Sequence, residues 1–153
     1  MQPVEIARRI RRPKAPKAFT LVEILIVVVI LGILAAMVIP QFVSATTEAK
    51  QNSSKMDLHR MRTQLELYQQ QHGAWPALAT FVDQLTLASK ADGSTAASGT
   101  AGYNLGPYIL EVPTNPMTRS NTVGAGAVGS SDWYYAEATG EFRANDSAES
   151  RTW

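Results

Sequence analysis

The chain has 153 residues, 45% of them hydrophobic and 18% charged, with a net charge of +1, which leaves room for one modest domain and an appendage. It has no cysteine, and this excludes disulfide staples, a zinc–thiolate centre and a thiol nucleophile. Residues 1–18 hold six basic side chains and one acid, a net of +5, which leaves −4 for residues 19–153 of the total of +1; the basic balance therefore belongs to the N-terminal segment, and the body shows no charge excess that would call for a nucleic acid.

Residues 1–18 read as a cytoplasmic segment. Pro13 and Pro16 interrupt helix formation, and Arg8, Arg9, Arg11 and Arg12 place this end on the inner side of whatever membrane follows. Ile24 to Ile39 then run for sixteen residues without a polar side chain. Counted from Phe19, only Thr20 and Glu23 interrupt the apolar run. At about 1.5 Å per residue, a helix of this length matches the roughly 30 Å of bilayer hydrocarbon. Residues 19–40 are thus predicted to be a transmembrane helix. Glu23 is its anomaly, because a carboxylate at the bilayer centre costs about 2.5–3.5 kcal/mol on insertion scales, and less near the edge. It needs a partner.

Residues 41–72 are rich in Gln, Glu, Lys, Arg, Met and Leu, all good helix formers. Leu58, Met61, Leu65 and Tyr68 recur at spacings of 3, 4 and 3, which makes one apolar stripe; Lys55, Arg62, Glu66 and Gln69 fall outside it. Gly73 and then Pro76 signal the helix end. Residues 73–153 are predicted to form a small loop-rich β head, too poor in apolar runs to be stable without the stripe. Phe81, Val82, Leu85 and Leu87 suggest a brief helix or extended piece, and Tyr108 to Leu110 another. Residues 88–104 and 120–131 read as loops from their Ala, Ser, Gly and Thr content. Trp133 to Glu137 and Glu141 to Arg143, flanking Ala138-Thr139-Gly140, read as a β-hairpin. The fold class is α+β.

Lys17-Ala18-Phe19-Thr20-Leu21-Val22-Glu23, followed by the apolar run, resembles the class III signal of type IV prepilins and of type II secretion pseudopilins. The resemblance implies that an inner-membrane prepilin peptidase cuts between Ala18 and Phe19 and methylates the new amine of Phe19; Ala18 stands where the family usually has glycine. It also implies that Glu23 meets a neighbouring subunit's N-terminus during filament assembly, an ion pair made directional by the cost of an unpaired charge. Gly32 and Pro40 fall where the family's helix often carries a Gly and a Pro, a weak section that unwinds in the family's filaments. His72-Gly73-Ala74-Trp75-Pro76, Gly106 to Leu110 and Val112 to Pro116 resemble segments of major pseudopilins. Many of those bind calcium through acidic side chains in the C-terminal loop. Asp132 and Asp146 are candidates for that role by location, with a solvated surface role as the alternative.

The expectation is a structural subunit, not an enzyme, since no nucleophile–base set and no phosphate loop is present. The function implied is that of a subunit of a type II secretion pseudopilus, anchored in the inner membrane by a single pass with its head in the periplasm. Its partners would be further copies in a homo-oligomeric filament, the peptidase, an inner-membrane assembly platform with its cytoplasmic ATPase, and membrane lipid. The alternatives are a type IV pilus subunit for adhesion, motility or DNA uptake, and a single-pass membrane-anchored binding protein. Val43-Ser44-Ala45 also resembles a secretory cleavage site, although the apolar core before it exceeds the usual length. His59 and His72 are expected at the surface. Lys50, Lys55, Arg60 and Arg62, interleaved with Glu48, Asp57 and Glu66, are expected to form a solvated helical face and not a nucleic-acid stripe.

Overall fold

A computed structural model describes residues 19–153; the basic segment 1–18, and with it Ala18 of the predicted cut, lies outside the described residues. The chain divides into two compact units, one ending at Phe42 and one running from Val43 to Trp153.

Helix α1 spans Leu21–His72 and includes Pro40. It ends where the sequence says it should. Gly73 takes a φ of +74°, the left-handed value that only glycine adopts without strain, and its N–H donates to Gln69 O at 2.8 Å. In the first unit, the aliphatic side chains from Leu21 to Ile39 are all exposed. The helix is long and apolar enough to cross a bilayer by length and composition. Gly32 and Pro40, the predicted weak section, both lie within helical backbone in this isolated chain.

In the second unit, the helix from Val43 to His72 is the spine of the head. The predicted stripe is buried in full: Leu58, Met61, Leu65 and Tyr68 are each at most 2% exposed. They pack with Phe81, Leu85, Val112, Trp133, Tyr135, Phe142 and Ala144 into one core. At roughly 1.5–3 kcal/mol for each fully buried large apolar side chain, the stripe is a main source of the head's cohesion. A single 3₁₀ turn, Leu78–Thr80, leads into helix α2, Phe81–Thr86, so the brief apolar segment is helical.

Strands β4 (Trp133–Ala136) and β5 (Glu141–Ala144) form the predicted hairpin. Their buried residues alternate, Trp133 and Tyr135 on one strand and Phe142 and Ala144 on the other, as a sheet with one wet face requires. The register sets Tyr135 opposite Phe142, and the Phe81 ring lies 4.5 Å from that of Tyr135. The connection is Glu137 to Gly140, one residue longer than expected, because Glu137 leaves the ladder: its Oε2 accepts from the N–H of Leu78 at 2.9 Å. Gly140 has a φ of +71°, and a Cβ there would run into the Trp75 indole.

Two segments expected as loops contain short strands. β1 (Ala88–Ser89) pairs antiparallel with β2 (Thr95–Ala96), and β3 (Val123–Gly124) adds a parallel pairing to β4 beside the antiparallel hairpin. Tyr108 to Leu110 is neither helix nor strand; the N–H groups of Tyr108 and Ile109 both donate to Leu85 O, at 2.8 and 3.1 Å.

Candidate functional site

The N-terminal site is built on the first turn of α1. Phe19 and Thr20 precede the helix in non-helical backbone, and Phe19 is 80% exposed. Thr20 caps the helix, accepting from Glu23 N at its Oγ1 (3.2 Å). Glu23 reciprocates: its Oε2 accepts from Thr20 N at 2.8 Å and from Thr20 Oγ1 at 2.9 Å. This is a capping box, in which two orphan donors of the first turn are satisfied by side chains. Sequence reasoning treats Glu23 as a charge in search of a distant partner. It misses that Thr20-x-x-Glu23 is itself the signature of such a box. The carboxylate also sits at the positive end of the helix dipole. The arrangement holds a negative charge four residues after the predicted new amine of Phe19, on a helix whose next sixteen residues are apolar.

The acidic candidates in the head are brought near one another by Asn115, which is fully buried. Its Nδ2 donates to Asp132 O at 3.0 Å and to Asp146 Oδ1 at 3.2 Å. Asp132 is 7% exposed, not a solvated surface residue. Its Oδ2 accepts from Thr122 N at 2.8 Å and from Thr122 Oγ1 at 2.5 Å. Burial raises its pKa, but hydrogen bonding to the side chains of Thr118, Thr122 and Ser120 and to the Thr122 amide prevails and holds the carboxyl at about 2. Among the described residues, no three His, Asp or Glu side chains gather as a metal-binding group. The oxygens of Asp132 and Asp146 named above accept from N–H and O–H donors, whereas the buried Asn145 Oδ1 accepts no hydrogen bond. Asn115 goes unnoticed in the sequence, although an asparagine before proline is a turn signal.

The basic face resolves into separate tasks. Arg62 donates from Nε to Phe142 O at 3.0 Å and from Nη2 to Trp153 O at 2.5 Å, binding the helix to β5 and the C-terminal turn. Lys55 lies 4.8 Å from the Trp153 ring centroid, and Arg60 faces Asp57 at 3.7 Å. His72 is half-buried, not free at the surface. Its ring stacks on Tyr68 at 3.7 Å, its Nδ1 faces Tyr68 O and its Nε2 faces Ser89 Oγ, both at 3.0 Å.

The sequence is similar to those of known proteins. Residues 13–39 match the prokaryotic N-terminal methylation motif. The type II secretion system core protein G of Pseudomonas aeruginosa is 32% identical over 129 residues, covering 84% of this chain and 87% of that protein. Core protein G of Escherichia coli is 27% identical over 131 residues, 85% of this chain and 87% of the relative. The type IV major pilin protein PilA of Myxococcus xanthus is 45% identical, but over 47 residues, 31% of this chain and 21% of that protein. No solved structure gives a significant match.

Proposed function

The chain belongs to the type II secretion system core protein G family, the major pseudopilins, and from this premise we propose that it is the repeating structural subunit of a periplasmic pseudopilus. The observation that carries the reading is a similarity that extends over 84% of the chain, through both the apolar helix and the head. The pilus alternative draws on a match to a pilin that covers 31% of the chain, and the longer match outweighs it.

The mechanism follows from the first turn of α1. The chain inserts with its basic segment in the cytoplasm, and the head faces the periplasm. A peptidase removes residues 1–18 and methylates Phe19, which stands outside the helix. Within the membrane, the capping box with Thr20 keeps Glu23 supplied with donors. On docking, the Phe19 amine of one subunit and the Glu23 carboxylate of the next come together where water is scarce, and their attraction fixes the axial register of the two helices. The exposed aliphatic surface from Leu21 to Ile39 exchanges lipid for the same surface of neighbouring copies. The work of extraction comes from the assembly platform and its cytoplasmic ATPase. The head's role is structural.

The test is the mass of the mature N-terminus in cells that carry the secretion machinery. A chain beginning at methylated Phe19 is expected. A chain beginning at Thr46 would identify an ordinary secretory signal, and an uncut chain within assembled fibres would exclude the amine–carboxylate docking.

A further inference from the structure

We infer that the head carries a binding cleft for a neutral sugar ring, formed where α1, the hairpin loop and the C-terminal turn meet around Trp75, Trp153, Arg62 and Glu66. The inference goes beyond the filament reading and does not rest on it, since every residue that lines the cleft belongs to the unit from Val43 to Trp153.

The cleft has a volume of about 420 Å³, within the roughly 300–1,000 Å³ of small-molecule sites. The chain has three tryptophans. Trp133 is fully buried in the core, whereas Trp75 and Trp153 are half-buried and line the cleft. Their own chain holds them in place. Gly140 lies so close to the Trp75 indole that it leaves no room for a Cβ, and Lys55, which does not line the cleft, stands 4.8 Å from the Trp153 ring centroid. Aromatic surface held in place gives up little freedom on binding, and it suits the C–H face of a sugar ring.

The polar groups complete the match. A guanidinium has several N–H donors, and Arg62 uses only Nε, to Phe142 O, and one N–H of Nη2, to Trp153 O, within the fold. Its other N–H groups have no acceptor among the described residues. One turn further along α1, Glu66 is exposed and makes no hydrogen bond or ion pair among the described residues. Side chains four apart on a helix are neighbours, so unused donors and an unused acceptor stand side by side. A hydroxyl is donor and acceptor at once, and adjacent hydroxyls on one ring edge can take from Arg62 and give to Glu66. Charge narrows the ligand further. Arg143 also lines the cleft and is paired with Glu141. The two arginines balance the two glutamates, so net charge draws in neither an anion nor a cation. What remains is a neutral ring with an apolar face and a hydroxylated edge.

The test is a titration of the full chain, in micelles of a detergent without a sugar headgroup, with glucose, galactose and N-acetylglucosamine. The readout is the indole N–H signals in NMR spectra, assigned by single Trp→Phe variants. At least one sugar is expected to shift Trp75 and Trp153 along one saturable curve, with a dissociation constant on the order of 1 mM, while Trp133 stays in place. Glu66 has no partner in the fold, so Glu66→Ala should melt with the wild type yet bind roughly fivefold or more weakly, the worth of about one hydrogen bond. Oligomers of the sugar that binds separate two sources: affinity rising with length marks a longer glycan, equal affinity a free sugar, and both sustain the inference. It is overturned if no sugar moves the two signals at concentrations far above that constant, if Trp133 moves with them, or if Glu66→Ala binds as the wild type does. Saturable shifts with tetramethylammonium or acetate but with no sugar would overturn it as well, since the cleft would then be a site for an ion.

Discussion

Glu23 has two sets of partners in this scheme, and they act at different times. In the single chain it closes a capping box with Thr20, a local arrangement worth about 1 kcal/mol; in the proposed filament it faces a positive amine. Substitutions can part the two roles. Thr20→Val should loosen the first turn, seen as faster amide exchange at Leu21 to Ile24 in micelles. Glu23→Gln keeps an oxygen for the Thr20 donors but loses the charge; methylated Phe19 should still appear, while recovery of sheared fibres should fall by roughly tenfold or more, given the cost of an unpaired charge away from water. Full recovery of fibres from Glu23→Gln would remove the charge from the docking step. Asp132 offers a test by pH. Its folded-state pKa of about 2 lies below the usual 3.8, so the unfolded chain binds the proton more readily. The stability this supplies, roughly 2 kcal/mol, is fully present above the unfolded value and is lost as pH falls from about 4 through about 2. Acid unfolding followed through Trp133 should show that loss in the wild type and a flatter profile in Asp132→Asn.

Among the elements, the stripe on α1 was the most legible, because four large apolar side chains spaced at the helical period fit one buried helix face and little else. Its energetic weight can be tested against a neighbour. Leu65 is 0% exposed and Leu67 is 39% exposed on the same helix. Leu65→Ala should cost about 2–5 kcal/mol in chemical denaturation, and Leu67→Ala under about 1 kcal/mol. The hairpin of β4 and β5 was legible too, since aromatic residues lie on both sides of a glycine-containing loop. Strands β1, β2 and β3 were not: each is two residues long and built from Ala, Ser, Thr, Val or Gly. So short a strand has no period to read, and long-range pairing alone makes it a strand. The acidic candidates were found by place, but their role was not. Asn115, 17 residues from Asp132 and 31 from Asp146, joins them only in the folded chain.

For the molecule as a whole, the two units make opposite demands on their surroundings. The aliphatic side chains from Leu21 to Ile39 are all exposed in the isolated chain, a surface that the proposed filament would bury in lipid or against other copies. The unit from Val43 to Trp153 contains its own core. A fragment of residues 43–153 should therefore be soluble without detergent and monomeric in analytical ultracentrifugation, with the tryptophan emission of the full chain; aggregation of that fragment would show that the head borrows stability from the apolar segment.

The contact between Gly140 and Trp75 reaches beyond this one sequence. The hairpin loop passes so close to the indole that positions 75 and 140, 65 residues apart, share one small volume. Neither can drift alone. Across an alignment of relatives, any that has gained a side chain at the position of Gly140, asparagine being the one best suited to a φ of +71°, should have exchanged the tryptophan for something smaller in the same lineage. The two columns should covary as a pair.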